Sequence, residues 1–103
     1  MRSAAENAVY FQQCGQLLNI LSNAKRLQVV LTLANGEQSV THLAHEVNMS
    51  QSALSQHLAK MREAGVVRTR RQGLVVYYRL VMPEFIGLLK EVVLYLEANS
   101  KKA

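Results

Sequence analysis

The chain has 103 residues, 12 Lys and Arg against 7 Asp and Glu, a formal net charge of +5, and apolar side chains at 50% of positions. This is enough for one small domain, 1–103, and excludes a disordered linker, which would be poor in Leu, Ile and Val. One Cys excludes an internal disulfide or a multi-thiolate zinc site, and the longest apolar runs, five residues, fall far short of the about 20 that span a bilayer.

Met1 to Gln16 mixes small and polar residues and has no signal-peptide core. The spacing predicts a first helix over Ala4 to Leu21, with Tyr10, Cys14, Leu17, Leu18 and Leu21 on one broad face. Asn23 is placed to cap a second helix, Ala24 to Ala34, in which Leu27, Val30, Leu31 and Ala34 recur at helical spacing; Asn35-Gly36 then stops it. Ser39 caps a short third helix with Val40, Leu43, Ala44 and Val47 inward. Ser50 caps a fourth, Gln51 to Ala64, closed by Gly65. The period then changes. Val66 to Gln72 and Leu74 to Leu80 alternate and are rich in Val, Tyr, Thr and Arg, which predicts a β-hairpin joined at Gln72-Gly73. Pro83 suits the first turn of a last helix running to about Glu97, ahead of a polar tail, Asn99 to Ala103. The expected fold is mainly α with a β-hairpin wing, in the order α-α-α-α-β-β-α: a helix-turn-helix (39–64) followed by a wing (66–80).

The charge is local. Between Lys60 and Arg79, the six basic residues Lys60, Arg62, Arg68, Arg70, Arg71 and Arg79 stand against one acid, Glu63, while the rest of the chain sums to zero. Concentrated, Arg-rich charge is what a polyphosphate backbone selects; a merely solvated surface would spread it and favour Lys.

On a helical wheel Leu54, Leu58 and Met61 form a core stripe. Opposite it lie Ser52, Gln56, Ala59 and Glu63, flanked by Ser55 and Lys60. Ser and Gln reach base edges, Gln bidentately to adenine, and the helix N-terminus favours phosphate. The expected DNA-binding set is Ser50, Gln51, Ser52, Ser55, Gln56, His57 and Lys60, with Arg68, Arg70, Arg71 and Gln72 from the hairpin. His57 is expected to pack or to touch phosphate. Arg70, Arg71 and Gln72 sit nearest the tip, and Arg79 suits a structural ion pair as well as a DNA contact.

The segment SQSALSQHLAKMREAGVVRTRRQGLVVYYRL, Ser50 to Leu80, resembles the helix-turn-helix and wing of the ArsR/SmtB family of bacterial winged-helix repressors, and Ala24-Lys25-Arg26-Leu27 through Gly36-Glu37 fits that family's second helix and link. The resemblance implies a cytoplasmic, nucleoid-associated homodimer on an operator palindrome, released by a chemical signal. It also implies where that signal would act. The metal-binding thiolate pair would fall on Ser39 and Thr41, and the last-helix ligands near Met82, Glu84, Tyr95 and Ala98, of which only Glu84 could ligate. The cysteines of a redox branch would fall on Leu31 and Leu96. Neither switch is expected here, and no metal or other cofactor.

Cys14 is expected chiefly as a small buried hydrophobe, with a redox thiol at a dimer interface as the sharper alternative. His42, His45 and Glu46 share a turn and could hold Zn²⁺ only with one more ligand. The first and last helices (1–22 and 83–98) carry more apolar surface than one small core absorbs: Val9, Tyr10, Phe11, Cys14, Leu17, Leu18, Ile20 and Leu21 in one, and Phe85, Ile86, Leu88, Leu89, Val92, Val93, Tyr95 and Leu96 in the other. Dimerisation through both is expected.

The expected function is a sequence-specific regulator, a repressor on an inverted repeat of double-stranded DNA, with an unknown small-molecule or redox effector. The alternatives are a winged-helix protein-interaction module and a thiol-based regulator using Cys14. An enzyme fails on inventory, because no nucleophile–base spacing, phosphate-cradling Gly loop or carboxylate pair stands out.

Overall fold

Three helices begin where a polar side chain takes over an unpaired amide. In the computed structural model, which describes residue 3 and residues 5–100, Asn23 accepts from the Arg26 N–H at 3.1 Å, Ser39 Oγ from His42 N–H at 3.1 Å, and Ser50 Oγ from Ala53 N–H at 3.2 Å. They open α2 (Ala24–Leu33), α3 (Val40–Glu46) and α4 (Gln51–Glu63). The other elements are α1 (Ala8–Leu21), β1 (Gln38–Ser39), β2 (Val67–Gln72), β3 (Val75–Leu80) and α5 (Phe85–Ser100). Ala4, the expected start of α1, and the tail from 101 to 103 lie outside the described residues.

The turn of the helix-turn-helix is fixed from two sides. Asn48 adopts a left-handed φ of 56°, which Asn tolerates, so that the Met49 N–H reaches back to Ala44 O at 3.0 Å. From α2, Lys25 Nζ donates to Val47 O at 2.9 Å and satisfies a carbonyl that α3 leaves open. At the end of α4, Gly65 (φ 78°) lets the Val66 N–H return to Met61 O at 2.9 Å, which turns the chain into the hairpin.

The sheet has three antiparallel strands in the order β1-β3-β2. The sequence reading lacks β1, because two residues are too short to show a period; Gln38 and Ser39 pair with Tyr78 and Tyr77. In the hairpin Gln72 pairs with Val75, so the turn is Gly73-Leu74 and not Gln72-Gly73. Gly73 has φ 62° and Leu74 does not share the positive φ, the pattern of a type II′ turn with Gly first.

The core joins Leu21, Val29, Val30, Leu33, Leu43, Ala44, Val47, Leu54, Leu58, Met61, Val66, Val67, Ile86 and Leu89. In α2 the buried face is Val29, Val30 and Leu33, while Leu31 and Ala34 are exposed. The apolar recurrence through Leu31 and Ala34 is rotated from the true core stripe because α2 is held between α1, α3 and β3, which leaves its α5-facing side open. Pro83 lies in a turn ahead of α5, whose Phe85 and Ile86 N–H groups reach Met82 O and Pro83 O. The helix runs past Glu97 to Ser100, with Asn99 Nδ2 and Ser100 Oγ bonded back to Tyr95 O and Glu97 O.

The protomer is not closed on itself. Its radius of gyration is 15.7 Å, against about 13 Å for a compact chain of this length. Val9, Tyr10, Phe11 and Leu18 on α1 and Leu88, Val92, Tyr95 and Leu96 on α5 are exposed, Tyr10 at 63% and Tyr95 at 65%. Cys14 is exposed as well, so the expected burial within the protomer is corrected: α1 projects, and only its C-terminal end, at Leu17, Ile20 and Leu21, meets the core.

Candidate nucleic-acid interface

Burial of Leu54, Leu58 and Met61 fixes the rotation of α4 and turns Ser52, Ser55, Gln56 and Lys60 outward, all exposed. Ser50 is committed to its cap, with its hydroxyl 3.4 Å from that of Ser52. Gln51 Nε2 donates to Thr41 Oγ1 at 3.3 Å, tying the start of α4 to α3. Ser55, Gln56 and Lys60 make no side-chain bond among the described residues and stay available to a ligand.

His57 is half-buried, and its Nδ1 accepts from Arg26 Nε at 3.1 Å. Arg26 also donates through a terminal nitrogen to Ile20 O at 2.9 Å, so one guanidinium links the end of α1, the start of α2 and α4. Burial, then the charges of Arg26 and Lys60, hold the His57 pKa below 6.5. With Nδ1 accepting, the ring is neutral and its proton sits on Nε2, a donor suited to phosphate.

In the wing, Arg68 and Arg70 share one face and Arg71 takes the other, as strand alternation requires. Arg68, Arg71 and Gln72 are exposed. The ion pair, expected as one possibility at Arg79, is made by Arg70, whose side chain stays exposed. Arg70 is the structural partner: it meets Glu37 at 2.6 Å through a terminal nitrogen and at 3.1 Å through Nε, donates to Gln72 Oε1 at 2.9 Å, and lies 4.6 Å from the Tyr77 ring centroid. This contact lowers the Glu37 pKa and raises that of Arg70. Arg79 faces Arg68 across the ladder and acts on Glu37 only through its charge. The local sum over 60–79 missed this because Glu37, outside that segment, neutralises one of its arginines.

Two features escaped the sequence reading. Leu74, assigned to a strand, stands at the wing tip with 97% exposure, and Lys25 and Arg26 brace the helix-turn-helix from behind. The latter had no sequence signal, since their partners lie more than 20 positions away. His42 and Glu46 approach at 3.6 Å, and no group of three or more metal-ligating side chains occurs among the described residues. No helix among the described residues is long and apolar enough to cross a membrane.

Residues 23–69, from α2 into β2, match the family model described as "Bacterial regulatory protein, arsR family". The chain is 46% identical over 65 residues to the HTH-type transcriptional regulator KmtR of Mycobacterium tuberculosis, covering 63% of this chain and only 50% of that protein. It is 43% identical over 86 residues to the transcriptional activator HlyU of Vibrio cholerae, covering 81% of this chain and 78% of that one. Among solved structures, the homodimeric winged helix-turn-helix DNA-binding domain of Mb0332 from Mycobacterium bovis superposes with a TM-score of 0.78 at 26% identity, over 97% of this chain and 93% of that one.

Proposed function

The chain belongs to the ArsR family of bacterial regulatory proteins, and from that premise we propose that it regulates transcription as a homodimer on an inverted-repeat operator, acting at DNA in the cytoplasm. The observation that carries the reading is the outer face of α4: Ser55, Gln56 and Lys60 are exposed with no side-chain partner among the described residues, while Leu54, Leu58 and Met61 opposite are buried. A side chain with no structural duty on a rigidly oriented helix is one that can read a ligand. In this reading Ser52, Ser55 and Gln56 meet base edges in the major groove; Lys60 and His57 Nε2 meet phosphate. Ser50 and Gln51 set the start of the helix. Arg68, Arg71 and Gln72 reach the backbone or minor groove from the wing, and Arg70 holds the wing to the body through Glu37.

Self-association follows from the exposed apolar faces of α1 and α5, which a second copy would cover. The two-fold axis then sets the reading helices one DNA turn, about 34 Å, apart. Cys14 sits within the α1 surface that pairing would cover. A dimer on a promoter represses by occupying it, or activates by displacing another bound repressor; HlyU is named an activator, and the same geometry serves either outcome.

Selection of bound fragments from the source genome, followed by salt titration on selected and random duplexes, tests the reading. An inverted repeat is expected, with a preference that survives physiological salt while the total affinity falls steeply. No base preference at any ionic strength refutes it and favours a protein-interaction module.

A further inference from the structure

At the base of the wing a cavity of about 350 Å³ opens between the C-terminal end of α2, β3 and the start of α5. Leu31, Leu33, Leu80 and Ile86 give it an apolar lining, and Arg79 and Lys90 bring two cations to it. Neither has an ion pair or hydrogen bond among the described residues. Arg79 also faces Arg68 directly across the ladder, a like-charge pairing that costs stability. The one carboxylate lining the cavity, Glu37, is already bound twice by Arg70. Two cations without an ion pair of their own among the described residues therefore stand beside a greasy surface, with Glu37 acting on Arg79 only at a distance.

That surface continues. Leu31 and Lys90 also line a second cavity of about 230 Å³, whose remaining walls are Val93 and Leu94. Together the two form a groove with a cationic mouth and an apolar channel, the first alone within the range of small-molecule sites. On the α5 wheel, at about 100° per residue, Val93 falls in line with the buried Ile86–Leu89 stripe, and Lys90 and Leu94 lie on its side away from Leu88, Val92 and Tyr95.

We propose that this groove binds an amphipathic carboxylate, its head on Arg79 and Lys90 and its aliphatic tail along Leu31, Val93 and Leu94. The charge pair selects an anion, and the channel beyond it selects a chain over a bare ion. The site touches α2, the wing and α5 together, so an occupant bears on the position of the wing relative to the body.

Sodium octanoate is the probe, titrated into the full chain at constant ionic strength and followed by calorimetry and amide chemical shifts, with acetate and 1-octanol in parallel. Saturable binding is expected, about tenfold or more tighter than either control, with shifts centred on Leu31, Arg79, Lys90, Val93 and Leu94. Lys90→Gln and Arg79→Gln, both exposed and checked for native circular dichroism, should each weaken octanoate about fivefold or more while leaving 1-octanol unchanged. Absence of saturable binding, equal binding of 1-octanol, indifference to both substitutions, or shifts confined to the outer faces of α1 and α5 would each overturn the assignment. Because the readout is binding without DNA, failure here leaves the DNA-binding proposal standing, and failure of that proposal leaves this one testable.

Discussion

Arg71→Ala isolates the wing's contribution to DNA binding. Arg71 is exposed beside the hairpin turn and has no ion pair among the described residues, so its removal leaves no buried partner behind and should not disturb the fold. If each Arg71 of a dimer neutralises one phosphate, the variant releases two fewer counterions, and the slope of log K against log salt becomes shallower by about 1.8. Over a fourfold rise in salt, from about 50 to 200 mM, wild type should therefore lose about 12-fold more affinity than the variant. Fluorescence anisotropy on a labelled duplex of arbitrary sequence measures this, since phosphate contacts do not depend on base order. Arg70→Ala is the internal comparison. Its guanidinium is already engaged by Glu37, Gln72 and Tyr77, so its effect on the slope should be smaller. Glu37→Gln, which frees Arg70, should steepen the slope. An unchanged slope for Arg71→Ala, or a larger effect for Arg70→Ala, would refute the division of labour drawn from the wing.

Gln56→Ala and Ser52→Ala should relax base preference by about 1–3 kcal/mol per lost contact while barely changing affinity for random DNA; equal losses on selected and random duplexes would remove α4 from the reading role. Val92→Glu puts a charge in the exposed apolar stripe of α5 and should yield monomers in sedimentation analysis, with binding to an inverted repeat lost more completely than secondary structure. His57 should titrate below 6.5 in an NMR pH series, because burial and then Arg26 and Lys60 disfavour its charged form. The unfolded chain takes that proton first, so the histidine's contribution to stability is full above pH 6.5 and is lost as pH falls toward the folded-state pKa; a midpoint above 6.5 contradicts the Arg26 contact. Leu58→Ala, at a position with no exposure, should cost about 2–5 kcal/mol in urea denaturation.

The local signals were legible because they act over one to four residues. Asn23, Ser39 and Ser50 cap the helices they precede, Gly65 and Gly73 take the left-handed conformations their turns need, and Leu54, Leu58 and Met61 define both faces of α4. An Arg-rich hairpin after a polar helix face was likewise readable as charge in order along the chain. Excess apolar surface at both ends was countable: Val9, Tyr10, Phe11 and Leu18 and Leu88, Val92, Tyr95 and Leu96 are exposed, whereas Leu17, Ile20, Leu21, Phe85, Ile86 and Leu89 from the same sets meet the core.

What the chain order could not state is which distant groups meet. Glu37 claims Arg70 and leaves Arg79 to the cavity, although strand alternation alone puts Arg70 and Arg79 on the same face, two positions apart in the ladder. Arg26 reaches His57 and Lys25 reaches Val47 only because α2 packs behind the helix-turn-helix. The core face of α2 was decided by its neighbours and not by its own periodicity. The physical reason is common to all of these: caps, turns and stripes are set by bonds along the backbone, whereas ion pairs, bracing contacts and cavities depend on how rigid elements sit against one another in space.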